Sequence, residues 1–255
     1  MHPKTIEQAI QRANNITGMT IAELAKALQI PLPHNPKSAK GFIGQLVEIA
    51  LGASAGSNPI QDFPSINLEL KTIPIKFNGS PAETTHICVA HLNNLCGLSF
   101  ENSNVYNKIK QVLWVPVEGE KDIPIGERHI GQSFLWKMND EEFKLLKTDF
   151  EEILEYIIHN DKENIPASIG EYMQLRPIGK VDDKKQYGFY LRKNFTNDWA
   201  LEIKRGVGNR LPDLKPQIKD YKSINDFMNI YDQKFLKTTG ITLDATNREL
   251  NRINS

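Results

Sequence analysis

Cysteine is scarce. Cys88 and Cys96 are the only two in 255 residues. They form no CxxC pair and have no histidine at zinc-ligand spacing, which excludes a disulfide framework and a zinc finger. Long apolar runs are lacking too. No stretch of 18 or more apolar residues occurs, so no membrane-spanning helix is expected. The opening segment MHPKTIEQAIQRANN is a polar helical pattern without the apolar core of a signal peptide. These absences lead to the expectation of a reduced, cytoplasmic protein with no membrane association. Net charge is also missing, because 31 Lys and Arg balance 31 Asp and Glu. That excludes a uniformly basic surface, the commonest mark of a DNA-binding chain.

What is present is ordinary globular material. Hydrophobic residues make up 40% and charged residues 24%, enough for a real core in one or two domains. The neutral total conceals a split. Residues 1–100 carry a balance of +1, residues 101–175 one of −7, and residues 176–255 one of +6. A basic C-terminal third can face phosphates while the acidic middle, centred on the segment 139–160, faces away. Each block is equally compatible with plain solvation.

Periodicity divides the chain into helices, then strands, then helices. Helices are expected over 4–15, over 20–28 behind a Thr20/Glu23 capping box, and over 38–51 up to Gly52. Strands are expected at 66–75, 84–91, 112–118, 127–136, 171–176 and 186–193. A long amphipathic helix is expected at 139–160 behind Asn139, and another helix at 197–205. The pattern implies a mixed α/β (α+β) domain over residues 1–205. A C-terminal extension, 206–255, has no clear periodicity.

One constellation carries chemistry. Glu69 and Lys71 sit at i and i+2 of a strand and share a face, while Leu68 and Leu70 point into the core. Asp62 lies seven residues earlier, in QDFP, and reaches the same place if the chain turns back. Two carboxylates at one point make a hard oxygen site suited to Mg²⁺. A neighbouring lysine can orient or deprotonate a water, or neutralise phosphate charge. Glu48, on an otherwise apolar helix, and Lys108, before an apolar strand, are further candidates. Taken singly, each has a plainer explanation: an exposed cross-strand ion pair, a turn aspartate, a helix edge or a surface lysine.

The blocks GFIGQLVEIALGASAGSNPIQDF, LELKTIP, VLWVPVEGE, GEYMQLRP and GFYLRKNFT, in this order, resemble the MutH family of mismatch-repair endonucleases and related GATC-cutting restriction endonucleases. The resemblance implies a type II restriction-endonuclease-like core, with a mixed sheet flanked by helices and two lobes around a DNA cleft. It places the family's D…ExK motif on Asp62, Glu69 and Lys71, with Asp62 and Glu69 holding Mg²⁺. It places the helix-borne acid on Glu48 and an additional active-site lysine on Lys108. In the second lobe it implies readout of GATC by Arg176 and Pro177, and sensing of the adenine methyl group by Tyr190. Arg192 and Lys193 would suit phosphate contacts, and Lys40 matches a lysine near the active site. His86 stands where the family often has an aromatic or apolar residue, and no DNA contact is expected of it.

The activity so implied is Mg²⁺-dependent nicking of the unmethylated strand at hemimethylated GATC by a monomer, activated by MutL and indirectly by MutS. The alternative is a GATC restriction endonuclease cutting both strands as a dimer. A non-catalytic methylation reader is a third possibility, and the complete acid–lysine set argues against it.

Overall fold

Short side chains set the helix starts in a computed structural model of the chain, which describes residues 2–33, 41–54, 59–93, 95, 97–160, 162, 164–181 and 184–197. Helix α1 spans Ile6–Ile16 and α2 spans Ile21–Ala27. The Thr20 hydroxyl accepts the Glu23 N–H at 3.1 Å, and the Glu23 carboxylate accepts the Thr20 N–H at 2.8 Å. That reciprocal pair is the capping box expected there. Helix α3, Phe42–Leu51, ends at Gly52, whose φ of 77° is left-handed and stops the helix one turn after Glu48.

Two three-stranded sheets follow. Strands β1 (Glu69–Ile75), β3 (Gln111–Glu118) and β4 (Phe134–Lys137) form the first, in the order β1-β3-β4. The β1–β3 pair is parallel and the β3–β4 pair antiparallel. Strands β2 (Thr85–Ala90), β5 (Met173–Val181) and β6 (Lys184–Leu191) form the second, antiparallel, in the order β2-β6-β5. The second sheet therefore recruits β2 from the N-terminal half of the chain. Helix α4 (Asn104–Ile109) leads into β3, and the long α5 (Asp140–His159) follows β4.

The run VLWVPV at the centre of β3 is apolar on both faces because both are covered. Leu113, Val115 and Val117 pack with α1, α2 and α3 in one core. Val112 and Trp114 pack with α4, α5 and the second sheet in the other. Full burial of each such side chain contributes about 1.5–3 kcal/mol, so β3 fixes the first sheet and β1 lies along it as an edge.

Several elements differ from expectation for identifiable reasons. The strand expected at 127–136 shortens to β4, since residues 129 and 130 make only isolated bridges, to Thr20 and Val117. Strand β5 begins at Met173 because the buried Asp149 carboxylate takes the N–H groups of Glu171, Tyr172 and Met173 at 2.9, 2.6 and 2.7 Å. It also runs on through Pro177, which an outer strand tolerates, with an irregularity between Pro177 and Gly179. Helix α4 was not expected at all. Lys40, Cys96, residues 198–205 of the expected helix and the extension 206–255 lie outside the described residues. No described helix is long and apolar enough to cross a membrane.

Candidate active site

The turn after Asp62 brings the acids together. Pro64–Ile66 form one turn of 3₁₀ helix, and Asn67 reverses the chain at φ 51°. Phe63 and Leu68 then pair back to back, the Phe63 N–H reaching the Leu68 carbonyl at 2.9 Å. This returns Asp62 to β1, where its Oδ2 accepts the Leu70 N–H at 2.8 Å. Asp62 is thus beside the Glu69–Leu70–Lys71 segment, as the motif requires.

Glu69 is the centre of the cluster and is only 2% exposed. Its Oε1 accepts from Lys71 Nζ at 2.8 Å and its Oε2 from Lys108 Nζ at 2.9 Å. Lys108 Nζ also lies 3.9 Å from Asp62 Oδ1. The Glu69–Lys71 pair is therefore no exposed surface pair. Lys108 is aimed inward by α4, whose Val105 and Ile109 are buried and whose Ser103 hydroxyl caps its start. Gln61 fastens α4 to the returning turn by donating to the Asn67 and Asn107 carbonyls at 3.0 and 2.9 Å.

Burial raises the Glu69 carboxyl above its ordinary range, against the pull of both lysines. Burial works to lower Lys71, but Glu69 and then Asp62 outweigh it, so the ammonium holds its proton more tightly than usual. Glu48 is pushed up to about 7, first by burial and then by the Asp62 charge, with Glu69 adding and the two lysines opposing. Three acids and two bases thus share one electrostatic site.

Glu48 and Lys71 of this site stand in the wall of a cleft of about 1130 Å³, with Asp62, Glu69 and Lys108 outside its lining. Glu48, Leu70, Lys71 and Thr72 line it on one side, and Thr84, His86, Arg176, Pro177 and Tyr190 on the other. The second group spans all three strands of the second sheet. Arg176 Nη1 donates to Thr84 Oγ1 at 2.8 Å, and the guanidinium lies 5.4 Å from the Tyr190 ring centre. His86 pairs with Tyr190 across the strands, its ring edge-on at 5.0 Å and 65°. Gly188 makes this possible, since a Cβ there would stand 3.0 Å from both His86 Nε2 and Ile178 Cγ2. Partial burial raises the Tyr190 phenol, with Arg176 opposing.

Comparison with known proteins shows the family. The "DNA mismatch repair protein MutH" of Pasteurella multocida (strain Pm70) is 44% identical over 222 residues, which cover 82% of this chain and 100% of that protein. The chain belongs to the MutH family. The family profile described as "DNA mismatch repair enzyme MutH" matches residues 51–149, which include Asp62, Glu69, Lys71 and Lys108. The proteins of the same name from Vibrio vulnificus (strain YJ016) and Escherichia coli (strain K12) are 45% and 44% identical over 208 and 209 residues. Each alignment covers 76% of this chain, and 92% and 91% of those proteins. The fold is accordingly the restriction-endonuclease-like α/β core of the MutH family.

Two basic residues expected to suit phosphate contacts do not line the cleft. Arg192 Nη2 donates to the carbonyls of Ala167 and Ile169 at 2.5 and 3.2 Å. It braces the loop before β5. Lys193 is exposed at the start of a helical turn, and neither residue is among those lining the cleft. Conversely, His86 was given no role, yet it packs on Tyr190 within the cleft. The alternation of TTHICVA, which sets Thr84 and His86 on one face, is the only sequence signal that bore on it.

Proposed function

We propose that this protein is a Mg²⁺-dependent endonuclease of DNA mismatch repair that nicks the unmethylated strand at hemimethylated GATC, acting as a monomer when MutL, and through it MutS, activates it. The supporting observation is the Glu69 carboxylate held between two lysine ammonium groups, with Asp62 and Glu48 adjacent, at the wall of a cleft that faces Arg176 and Tyr190.

The donor chemistry fits a hard divalent cation. Asp62 and Glu69 supply carboxylate oxygens with lone pairs left over, and burial has raised the cost of the Glu69 charge. Among the described residues no three His, Cys, Asp or Glu side chains converge as a closed cage. A two-carboxylate set suits Mg²⁺, which keeps several waters. When bound, Mg²⁺ supplies Lewis-acid stabilisation of charge on a phosphodiester and lowers the pKa of water.

The chain's own residues do the rest. Lys71 is held in its charged form, so its part is to orient the attacking water and offset developing phosphate charge rather than to accept a proton. Lys108 holds Glu69 and Asp62 in register. Glu48 is the carboxyl whose proton affinity lies nearest neutrality, the range in which a group exchanges protons most usefully. On the opposite wall, the Arg176 fork suits guanine O6 and N7 in the major groove. The Tyr190 ring suits the N6 edge of adenine, where a methyl group would collide. One active site per chain cuts one strand, which is what strand-directed repair needs.

The test is cleavage of hemimethylated, unmethylated and fully methylated GATC plasmids, with Mg²⁺ or EDTA and with or without MutL. Nicks confined to unmethylated strands, abolished by EDTA and accelerated by MutL, are expected. Double-strand cutting indifferent to MutL would instead make the protein a restriction enzyme.

A further inference from the structure

We infer that the loop Gly119–Arg128 is a preformed phosphate-binding wall of the cleft, in which Lys121 contacts the DNA backbone and Arg128 holds the loop in position. This inference rests on the reading of the cleft as a DNA site.

The loop belongs to the acidic middle third, where charge alone predicts a face turned away from phosphate. Its position says otherwise. Lys121, Ile123, Pro124, Ile125 and Arg128 all line the same cleft as Lys71 and Tyr190. By contrast, no residue of the acidic α5 does so.

A polar loop of this length is usually free to move, and this one is tied down. At its start the Gly119 N–H reaches the Ile75 carbonyl at 2.9 Å. The backbones are so close there that a Cβ on residue 119 would come within 2.9 Å of the Pro74 carbonyl carbon. Glu120 accepts the Phe77 N–H at 2.8 Å, joining the loop to the turn after β1. At its end the Arg128 carbonyl accepts the Ile21 N–H at 2.9 Å, joining it to α2. Across the middle, Arg128 Nε donates to the Ile123 carbonyl at 3.1 Å and Nη2 to the Glu120 carbonyl at 3.0 Å.

The cations of the cleft differ in what they are already bonded to. Lys71 is paired with Glu69. Arg128 is bonded to two carbonyls of its own loop, and Arg176 to Thr84 and the Tyr190 ring. Lys121 is exposed, and among the described residues it forms no salt bridge or side-chain hydrogen bond. Of the nearby acids, Glu118 accepts from His129 and Glu120 from Phe77. The Lys121 charge is therefore presented to whatever enters the cleft, from a rigid support. A lysine ammonium is a point charge suited to a phosphate oxygen, and such contacts fix register without reading sequence. Arg176 and Tyr190 on one wall would then face the bases while Lys121 on the other holds the backbone.

The full-length protein is titrated, in EDTA to prevent cleavage, onto a duplex carrying one GATC and onto the same duplex with the site scrambled. Binding is followed by fluorescence anisotropy at several salt concentrations. Lys121→Ala should weaken both duplexes by the same factor and reduce the slope of log K against log[salt] by about 0.9, the loss of one phosphate contact. Lys121→Arg should keep the slope. Arg128→Ala should lower it as Lys121→Ala does, and the double variant should lose no more than either alone, because both act on one contact. An unchanged slope in Lys121→Ala, or a loss confined to the GATC duplex, overturns the inference. If the wild-type protein binds neither duplex, the DNA reading of the cleft falls with it.

Discussion

Behind one wall of the cleft, whose lining includes Lys71, Glu69 is sealed in by two ammonium groups and is almost wholly inaccessible. On the other, Tyr190 stands half-buried between a guanidinium and an imidazole, with contacts of 5 Å or more. The first cluster is strongly coupled. Glu48 and Glu69 are displaced upward by burial and by the Asp62 charge, and removing one member alters the charge balance of the rest. The second is a set of flat surfaces touching at their edges, where each contact is worth about a kcal/mol. Buried charge is what a rate depends on, because it is already organised before the reaction begins. Shallow, accessible contacts are what discrimination depends on, because a partner must be able to replace them.

The contrast can be broken by substitution. The largest effect is expected from Lys71→Ala, which should slow single-turnover cleavage roughly 10²–10³-fold, the span associated with loss of one preorganised electrostatic donor, while DNA affinity changes little. A comparable loss of affinity would put Lys71 in binding rather than chemistry.

Next is Glu48→Gln, which should slow cleavage by less than Lys71→Ala does, yet stabilise the metal-free protein. Glu48 keeps its proton up to about pH 7 when folded but loses it near 4.5 when unfolded. Between those values the folded state holds more protons, so stability falls as pH rises and levels off above about 7. The variant lacks that decline. In urea unfolding with EDTA at pH 8 it should be more stable by at most about 3 kcal/mol, and near pH 4 it should match the wild type. A variant less stable than wild type at pH 8 would show that Glu48 is comfortably charged.

On the reading wall the effects are smaller. Arg176→Ala should cost about 1–3 kcal/mol of discrimination between GATC and a single-base variant, measured as a ratio of cleavage rates, with the rate on non-cognate DNA little changed. Tyr190→Ala should narrow the preference for unmethylated over methylated adenine. His86→Ala should narrow it less, by roughly 0.5–1 kcal/mol, through loss of one edge-on ring contact. An unaltered methylation preference in Tyr190→Ala would remove that ring from the readout.

The two walls were unequally legible in the sequence. Asp62, Glu69 and Lys71 could be placed on one point because strand alternation is strict and the Pro64 turn is local. Glu48 stood out as a charge on an apolar helix. Lys108 was marked only by its place before an apolar strand, and family resemblance alone gave it a role. It lies on α4, a helix of six residues, too short for periodicity to reveal. The capping box at Thr20 and the N-cap at Asn139 are local chemistry and were readable. The burial of Glu69 was not, since it depends on what a sequence-distant helix brings over it. On the reading wall, strand β5 runs past the Pro177 where a break was expected, because whether a strand lies at an edge is a property of the sheet. The pairing of β2 with β6, which brings His86 to Tyr190, joins residues about a hundred positions apart. Arg192 shows the converse. Its guanidinium Nη2 donates to two backbone carbonyls far from it in sequence, a tie that its place in a recognisable block did not reveal.

Strand β1 lies at the rim of its sheet, with β3 on one side only. Rims of this kind invite a foreign strand to add itself, the route to edge-to-edge aggregation. Here the outward positions are Leu70, Thr72 and Pro74. The Leu70 N–H is occupied by the Asp62 carboxylate, Pro74 has no N–H to offer, and its carbonyl is taken by Ala82. Only Thr72 remains between them, opening onto the cleft. The carboxylate read as a metal ligand is therefore also a guard on the sheet rim. Exchanging Asp62 for alanine to silence the enzyme would at the same time uncover a backbone N–H on that rim, so the solubility of such a variant belongs beside its activity.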